Sequence, residues 1–130
     1  MKVKTSNLIG PALDWAVAKC EGVNEEAFRL FYEPTEPTDY DKHGFPEFHY
    51  STIWHKAGPI IERERIKISP TIHGTTWTAQ FRHVESHPLV PHPALAGWTN
   101  KHGPTALIAA MRCFVASRLG DEVDVPEELL

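Results

Sequence analysis

The sequence lacks the features that mark secreted and membrane proteins. It has only two cysteines, Cys20 and Cys113, among 130 residues, too few for a disulfide framework. Both lie in apolar stretches, so we expect reduced thiols buried as small core residues. No apolar run approaches the ~20 residues that a membrane-spanning helix needs. The first seven residues are charged and polar without a hydrophobic segment, so no secretory signal or membrane partner is expected, and the location is predicted to be cytoplasmic.

Clustered positive charge is also missing. The formal net charge is −4, from 13 basic and 17 acidic side chains. Residues 121–130 hold five of the acids and no base, which leaves 12 acids (17 − 5) against all 13 bases in residues 1–120. This body is near neutral and has no basic stripe of the kind that nucleic-acid binders present. We therefore predict a single domain over residues 1–120, followed by an acidic C-terminal tail over residues 121–130.

Signatures of enzymatic chemistry are not found. No Gly-x-Ser-x-Gly sequence occurs, and neither cysteine has the electropositive setting that activates a nucleophile. The Gly-Pro pairs that begin at residues 10, 58 and 103 offer one glycine each and a proline without an amide hydrogen. Such pairs favour helix starts over phosphate cradles. No catalytic residue and no cofactor is predicted, and the chain is not expected to be an enzyme.

Eight histidines are present, and their densest group is the single candidate for a metal site. Imidazole and carboxylate groups are zinc ligands. The spacing of this group matches no standard zinc motif, and Pro88, Pro91 and Pro93 stiffen the segment, so a solvated loop is favoured. The low-odds metal candidates are His83, Glu85, His87 and His92.

The spacing of apolar residues, glycines and prolines predicts an α+β fold. Two main helices are expected over residues 10–21 and 103–119, with a short helix over residues 58–64. We expect a small antiparallel sheet of three to four strands with the two main helices packed on one face. Residues 33–57 and 84–101 are predicted to be long irregular loops. The predicted strands cover residues 2–4, 28–32, 66–68 and 76–82.

The last predicted helix is apolar almost all the way round, with large residues on one side and small ones on the other. A helix that is apolar on both sides is usually covered on both. We therefore expect it to lie between the sheet and another helix. The alternative is a homodimer in which the small side packs on a second copy of the chain. That side carries Ala106, Ala109, Cys113 and Ala116.

The predicted loops are rich in aromatic residues. Most of these rings are expected to fold back as a small core beneath the loops. Trp54, Trp98 and Tyr50 are the candidates for a binding surface, because aromatic side chains dominate the energetics of protein interfaces.

Three segments of the sequence resemble NinX-like phage and prophage proteins. The first joins the opening Met-Lys-Val-Lys-Thr-Ser-Asn-Leu to Ala-Leu-Asp-Trp at residues 12–15. The second is Ser-Thr-Ile-Trp at residues 51–54, with Gly-Pro-Ile-Ile-Glu-Arg-Glu at residues 58–64. The third runs from Gly103 to Leu129. Ile53 departs from the resemblance, because the family usually has aspartate there.

The resemblance implies a small phage-encoded accessory protein for which no enzymatic activity is assigned. The leading hypothesis is a non-enzymatic protein in the cytoplasm of the bacterial host that binds a host or phage protein. The alternative is a nucleic-acid accessory factor of recombination or replication, since the predicted order of elements is similar to that of double-stranded-RNA-binding domains. The third hypothesis is a metal-dependent hydrolase that uses the loop histidines.

Overall fold

A computed structural model describes residues 1–32, 47–82 and 98–130, without the side chains of Arg82 and Trp98. The fold is α+β, as the sequence predicts. None of the described helices is both long enough and apolar enough to cross a membrane. The described helices and strands are β1 (Lys2–Lys4), α1 (Gly10–Cys20), α2 (Glu25–Phe31), α3 (Trp54–Glu64), β2 (Lys67–Pro70), β3 (Trp77–Arg82), β4 (Trp98–Gly103), α4 (Ala106–Leu119) and β5 (Glu122–Asp124).

The strands form two separate antiparallel sheets. The larger sheet has the order β2-β3-β4, so each of its strands pairs with the next along the chain. The smaller sheet pairs β1 with β5, with Val3 opposite Val123. The predicted acidic tail thus contributes a strand, and its side chains of Val123 and Val125 are buried. The N-terminal amine of Met1 lies 2.8 Å from Oδ1 of Asp124 and joins the two ends of the chain.

Helix α4 is the central element of the fold. It packs against all three strands of the larger sheet on one side and against α1 and α3 on another. Its large side chains Met111, Phe114 and Val115 are fully buried. This arrangement confirms the prediction that the last helix lies between the sheet and another helix.

The small side of α4 is covered by the sheet. Gly103 of β4 approaches so closely that a Cβ atom added there would lie 2.7 Å from the backbone nitrogen of Ala109. The thiol of Cys113 donates a hydrogen bond to a β4 carbonyl at 3.3 Å. Ala109 and Cys113 expose no surface in the single chain, whereas Ala106 and Ala116 are half-buried. A homodimer through this side stays a prediction, and only Ala106 and Ala116 have surface to offer it.

The predicted strand over residues 28–32 is wrong, because most of this segment is the end of helix α2. The side chain of Asn24 accepts a hydrogen bond from the backbone nitrogen of Glu26 at 2.7 Å and caps the helix. Glu25 and Glu26 then occupy the first turn, where negative charge is stabilised by the helix dipole. The aromatic run after this cap suggested strand propensity, and the local start signal decides the structure instead.

Two predicted helix starts are also wrong by several residues. Pro59 lies inside α3, which begins earlier at Trp54. Gly103 belongs to the end of β4, and α4 begins at Ala106 with Thr105 as its cap. The hydroxyl of Thr105 accepts from the backbone nitrogen of Ile108 at 3.1 Å, which satisfies an amide that the helix itself cannot. Of the three Gly-Pro pairs, the one at residues 10–11 does begin a helix.

Both thiols are free, and Cys113 is buried as predicted, whereas Cys20 is only half-buried. Both are expected to resist alkylation in the native protein. Burial raises the pKa of Cys113 to about 12 and that of Cys20 to about 11. Since the thiolate is the reactive form, roughly one Cys20 in a thousand is reactive at about pH 8. Iodoacetamide labelling followed by mass spectrometry should find two labels after unfolding in urea and almost none before. Rapid labelling of the native protein would contradict the raised pKa values of the two thiols.

Candidate functional site

The candidate site is built around the buried carboxylate of Asp14. This residue lies in α1 and exposes 1% of its surface. Its Oδ2 accepts a hydrogen bond from Oη of Tyr32 at 2.7 Å, and its Oδ1 accepts one from the backbone nitrogen of Ser51 at 2.8 Å. Tyr32 directly follows α2, and Ser51 lies in the turn that precedes α3. One carboxylate therefore joins three segments that are distant in the sequence.

A stack of four rings lies beside this carboxylate. The ring of Tyr32 lies 4.6 Å from that of His49 and 4.6 Å from that of Phe28, in both cases with an interplanar angle of 15°. Phe28 also stacks on Phe48 at 5.6 Å. Phe48 has a φ of 63°, a left-handed conformation that costs about 1 kcal/mol in a non-glycine residue. The ring contacts hold this strained residue in place and attach the segment around it to α2.

Burial determines the protonation of the polar groups in this cluster. Desolvation raises the pKa of Asp14 above 3.8, and the hydrogen bonds from Tyr32 and Ser51 only partly offset it. Burial also raises the pKa of Tyr50 to about 12, helped by the negative charges of Glu21, Glu47 and Asp14. The Tyr50 hydroxyl therefore stays protonated at neutral pH.

The cluster contains an aspartate, a histidine and a serine, which are the residue types of a catalytic triad, but its serine hydroxyl is enclosed. The Asp14 carboxylate accepts hydrogen bonds from a backbone amide and a tyrosine hydroxyl, and the His49 ring stacks on Tyr32. Oγ of Ser51 exposes less than 1 Å². A serine nucleophile has to reach its substrate and be activated by a base. The arrangement therefore supports a role in positioning other residues.

The residues predicted for binding and metal coordination have separate outcomes. Trp54 is the first residue of α3 and is 56% exposed, whereas Tyr50 is half-buried against the core. Trp98 begins β4 opposite Arg82, and its side chain lies outside the described part of the structure. Within the described residues, no group of three or more histidine, cysteine or acidic side chains is placed to hold a metal ion. All four predicted metal candidates lie outside the described residues: His83, Glu85, His87 and His92.

Sequence reasoning missed two exposed residues next to the Asp14 cluster. Leu30 and Phe31, at the end of α2, are 77% and 62% exposed. They were missed because residues 28–32 were predicted to be a strand, although the cap residue Asn24 indicates a helix start. Phe31 directly precedes Tyr32, and Trp54 follows Ser51 by three residues. We call Leu30, Phe31 and Trp54 the exposed apolar set.

A known protein family matches the part of the chain that forms the Asp14 cluster. The family described as Bacteriophage P22, NinX matches residues 4–118. The chain belongs to this family. The match includes α1, α2, α3, all but the last residue of α4, the larger sheet and the Asp14 cluster. No curated protein matches the chain.

The NinX-like segment over residues 58–64 has a structural explanation. Arg63 forms ion pairs with Glu21 after α1 and with the neighbouring Glu64, and Glu64 also pairs with Arg118 of α4. Both guanidinium groups lie over the ring of Phe114, at 5.8 and 5.6 Å from its centroid. These contacts join α3 to α1 and α4. Because the arginines are about half exposed, each pair contributes at most about 1 kcal/mol.

Helix α3 begins after Ile53, the residue that departs from the NinX resemblance, without a side-chain cap. Ile53 is the N-cap residue of α3, has an extended backbone (φ −112°, ψ 111°) and makes no side-chain cap. Aspartate is among the residue types that cap best, since its oxygen accepts from a free amide of the first turn. An aspartate at this position would therefore be able to cap α3.

An aspartate at position 53 is expected to give a more stable protein than an alanine there. Ile53→Asp should exceed Ile53→Ala in the free energy of unfolding by about 1 kcal/mol, because both variants lose the isoleucine and only aspartate caps. Urea unfolding at neutral pH measures the difference. Equal stability of the two variants would show that the first turn of α3 needs no cap.

Proposed function

We propose that this member of the NinX family acts by binding another protein, without catalysing a reaction, and that the exposed apolar set forms the contact. Leu30, Phe31 and Trp54 leave large apolar areas in water. Covering such surface gains ~25 cal/mol per Å², and large aromatic residues are typical anchors of interfaces. The best partner is a host or phage protein that offers apolar side chains in a short segment or on a helix face. The proposed site of action is the cytoplasm of the bacterial host.

The observation that carries this proposal is the buried Asp14 carboxylate, which is hydrogen-bonded to Tyr32 and Ser51, the neighbours in sequence of Phe31 and Trp54. Burying a charged group costs several kcal/mol before its hydrogen bonds are counted, so a core selected for stability alone would use an apolar residue. What Asp14 fixes is the position of Tyr32 and Ser51, and through them the segments that carry Phe31 and Trp54. A surface held in its bound geometry loses less conformational entropy on association.

Site-specific cross-linking tests the proposal directly. A photoreactive phenylalanine analogue is placed at Phe31 in one variant, at Trp54 in a second and at Ile72 in a third. Ile72 is the matched control because it is fully exposed and apolar but lies in the turn between β2 and β3. Illumination of infected cells should give the same cross-linked protein from the first two variants and not from the third. Absence of a shared product would contradict the proposal.

Substitution within the exposed apolar set should then reduce affinity without reducing stability. Phe31→Ser and Trp54→Ser should change the free energy of unfolding by no more than about 0.5 kcal/mol, as expected of surface positions. Each should weaken binding to the cross-linked partner by about 2 kcal/mol, or roughly 30-fold, if the residue is an interface anchor. Isothermal titration calorimetry measures the affinities, and Ile72→Ser serves as the control. An unchanged affinity in both variants would remove these residues from the interface.

A further inference from the structure

A second site is indicated by a polar cleft at the edge of the larger sheet. The cleft has a volume of about 340 Å³ and lies against β4. None of its lining residues belongs to the exposed apolar set. Among the residues that the structure describes, no acidic side chain lines it. Its polar lining residues are Ser6, Thr76, Asn100, Lys101, His102 and Arg112.

Arg112 brings an uncompensated positive charge into this cleft. Its Nε donates to the carbonyl of Leu8 at 2.8 Å, and its Nη1 donates to the carbonyl of His102 at 2.9 Å. These carbonyls orient the guanidinium but leave its charge without a counter-ion. In the described ranges of the chain, no carboxylate forms an ion pair with it. An arginine held in this way is available to an anionic ligand.

Lys101 adds a second charge at the same place. Its Nζ lies 3.1 Å from Oγ of Ser6 and 3.5 Å from Oδ1 of Asp121. The Asp121 side chain is 92% exposed, so water and salt weaken this pair. Two cations therefore face one exposed acid, and the cleft keeps an excess of positive charge.

The cleft lies at the β4 edge of the larger sheet, so it borders both faces. Lys101 pairs with Ala79 and is therefore on the α4 side, and the other face points away from α4. Ala79 of β3 is fully buried on the α4 side, and successive residues of a strand point to opposite faces. The strand register therefore places the neighbours of Ala79, and the residues paired with them, on the outer face. Asn100 and His102 belong to both the cleft and this face. The outer face carries Lys67, Ser69, Thr78, Gln80, Asn100 and His102, none of them acidic.

We propose that the cleft and the outer face of the sheet bind single-stranded nucleic acid. A phosphodiester group is held in the cleft by Lys101 and Arg112, and the adjoining nucleotides lie across the outer face. Gln80 and Asn100 present amide groups there that can hydrogen-bond the edges of unpaired bases. A duplex hides those edges, so the flat polar surface favours a single strand. This activity is separate from the binding of a protein partner and does not depend on it.

Fluorescence anisotropy of the full chain with a labelled oligothymidylate of about 20 nucleotides tests this proposal. At a low salt concentration of about 50 mM, the complex should form with a Kd in the micromolar range. The logarithm of the affinity should fall with the logarithm of salt concentration with a slope of about −2, as expected for roughly three phosphate contacts on a single strand.

Charge variants identify the surface. Lys67→Glu changes an exposed side chain, and it should weaken binding roughly tenfold. Lys101→Gln should do the same and make the salt slope shallower by about 0.7. The matched control Lys4→Glu alters an exposed lysine on β1 and should change affinity less than about twofold. Thermal melting checks that each variant is folded.

Three outcomes would overturn the proposal. The first is an affinity that neither Lys67→Glu nor Lys101→Gln changes. The second is a blunt duplex of the same length that competes as well as the single strand. The third is a protein that retains inorganic phosphate in equilibrium dialysis but no oligonucleotide, which would assign the cleft to a small phosphate ligand.

Discussion

Replacing Gly103 with alanine is expected to lower the free energy of unfolding by about 3 kcal/mol, the upper part of the range for overpacked cores. The added Cβ would lie 2.7 Å from the nitrogen of Ala109, 3.1 Å from its Cα and 3.1 Å from Cγ2 of Ile108. Two of these atoms belong to the backbone of α4, so a change of side-chain rotamer cannot relieve the contact. Either α4 or β4 has to move, and the interface between them is the centre of the core. Urea unfolding monitored by circular dichroism measures the loss.

The control for this variant is the same substitution at Gly58. That glycine lies inside α3 with a helical backbone, and a Cβ added there meets nothing within 4 Å. Alanine should stabilise the helix there by about 0.5–1 kcal/mol, because it loses less backbone freedom on folding. Opposite signs at the two positions would show that close packing of α4 on the sheet requires Gly103. A Gly103→Ala variant as stable as the wild type would contradict the close approach of β4 and α4.

Replacing Asp14 with alanine is expected to cost at least about 3 kcal/mol of stability. The substitution removes the acceptor for the Tyr32 hydroxyl and for the Ser51 amide, and each buried donor left unpaired costs about 1–3 kcal/mol. Hydrogen exchange should also rise at residues 47–53 and at the end of α2, since these segments lose their common attachment. Unfolding by urea and exchange measured by mass spectrometry test the two effects together. A variant with normal stability and normal exchange would show that the carboxylate does not hold these segments.

Asp14→Asn separates the hydrogen bonds from the charge. Asparagine keeps a carbonyl oxygen for the Ser51 amide, and its amino group can donate to Oη of Tyr32. We therefore expect this variant to lie within about 1 kcal/mol of the wild type at neutral pH. Cross-linking from Phe31 and Trp54 should survive in Asp14→Asn and decline in Asp14→Ala, because only the alanine variant releases both segments.

The wild type and the Asp14→Asn variant should also differ in the pH dependence of their stability. The pKa of Asp14 is higher in the folded state than its ordinary 3.8, so the folded state binds more protons than the unfolded state between these two values. Stability contributed by Asp14 is therefore present at low pH and is lost as the pH rises through this window. The stability of wild type minus that of Asp14→Asn should fall across the same interval. A difference that rises with pH would mean that the hydrogen bonds outweigh the desolvation of this carboxylate.

Local signals in the sequence were sufficient for much of the fold. Gly10-Pro11 begins α1 as predicted, and the alternation of apolar and polar residues around the turn at Gly74 identifies the β2–β3 hairpin. The two-sided apolar character of α4 predicted its central position. Where local signals competed, prediction failed. The aromatic run before residue 33 favoured a strand, but the Asn24 cap and its acidic first turn produced a helix.

The candidate sites depend on contacts that no local pattern contains. Asp14, Tyr32 and Ser51 are separated by 18 and 19 residues along the chain, and only folding brings Tyr32 and Ser51 within 3 Å of the Asp14 carboxylate. The same is true of Lys101 and Ser6, whose contact creates one wall of the cleft beside β4. Trp54 was predicted from its residue type alone, whereas Leu30 and Phe31 became visible once α2 was known to be a helix.

The sequence by itself determined the fold class, the family and the apolar faces of the two main helices. It could do so because helix caps, hydrophobic periodicity and family motifs are local properties of the chain. Tertiary structure alone decided which side of α4 meets the sheet, which carboxylate is buried and which cations lack a partner. Those outcomes depend on close packing and desolvation between segments far apart in sequence, and the energies of both are set only when the segments meet.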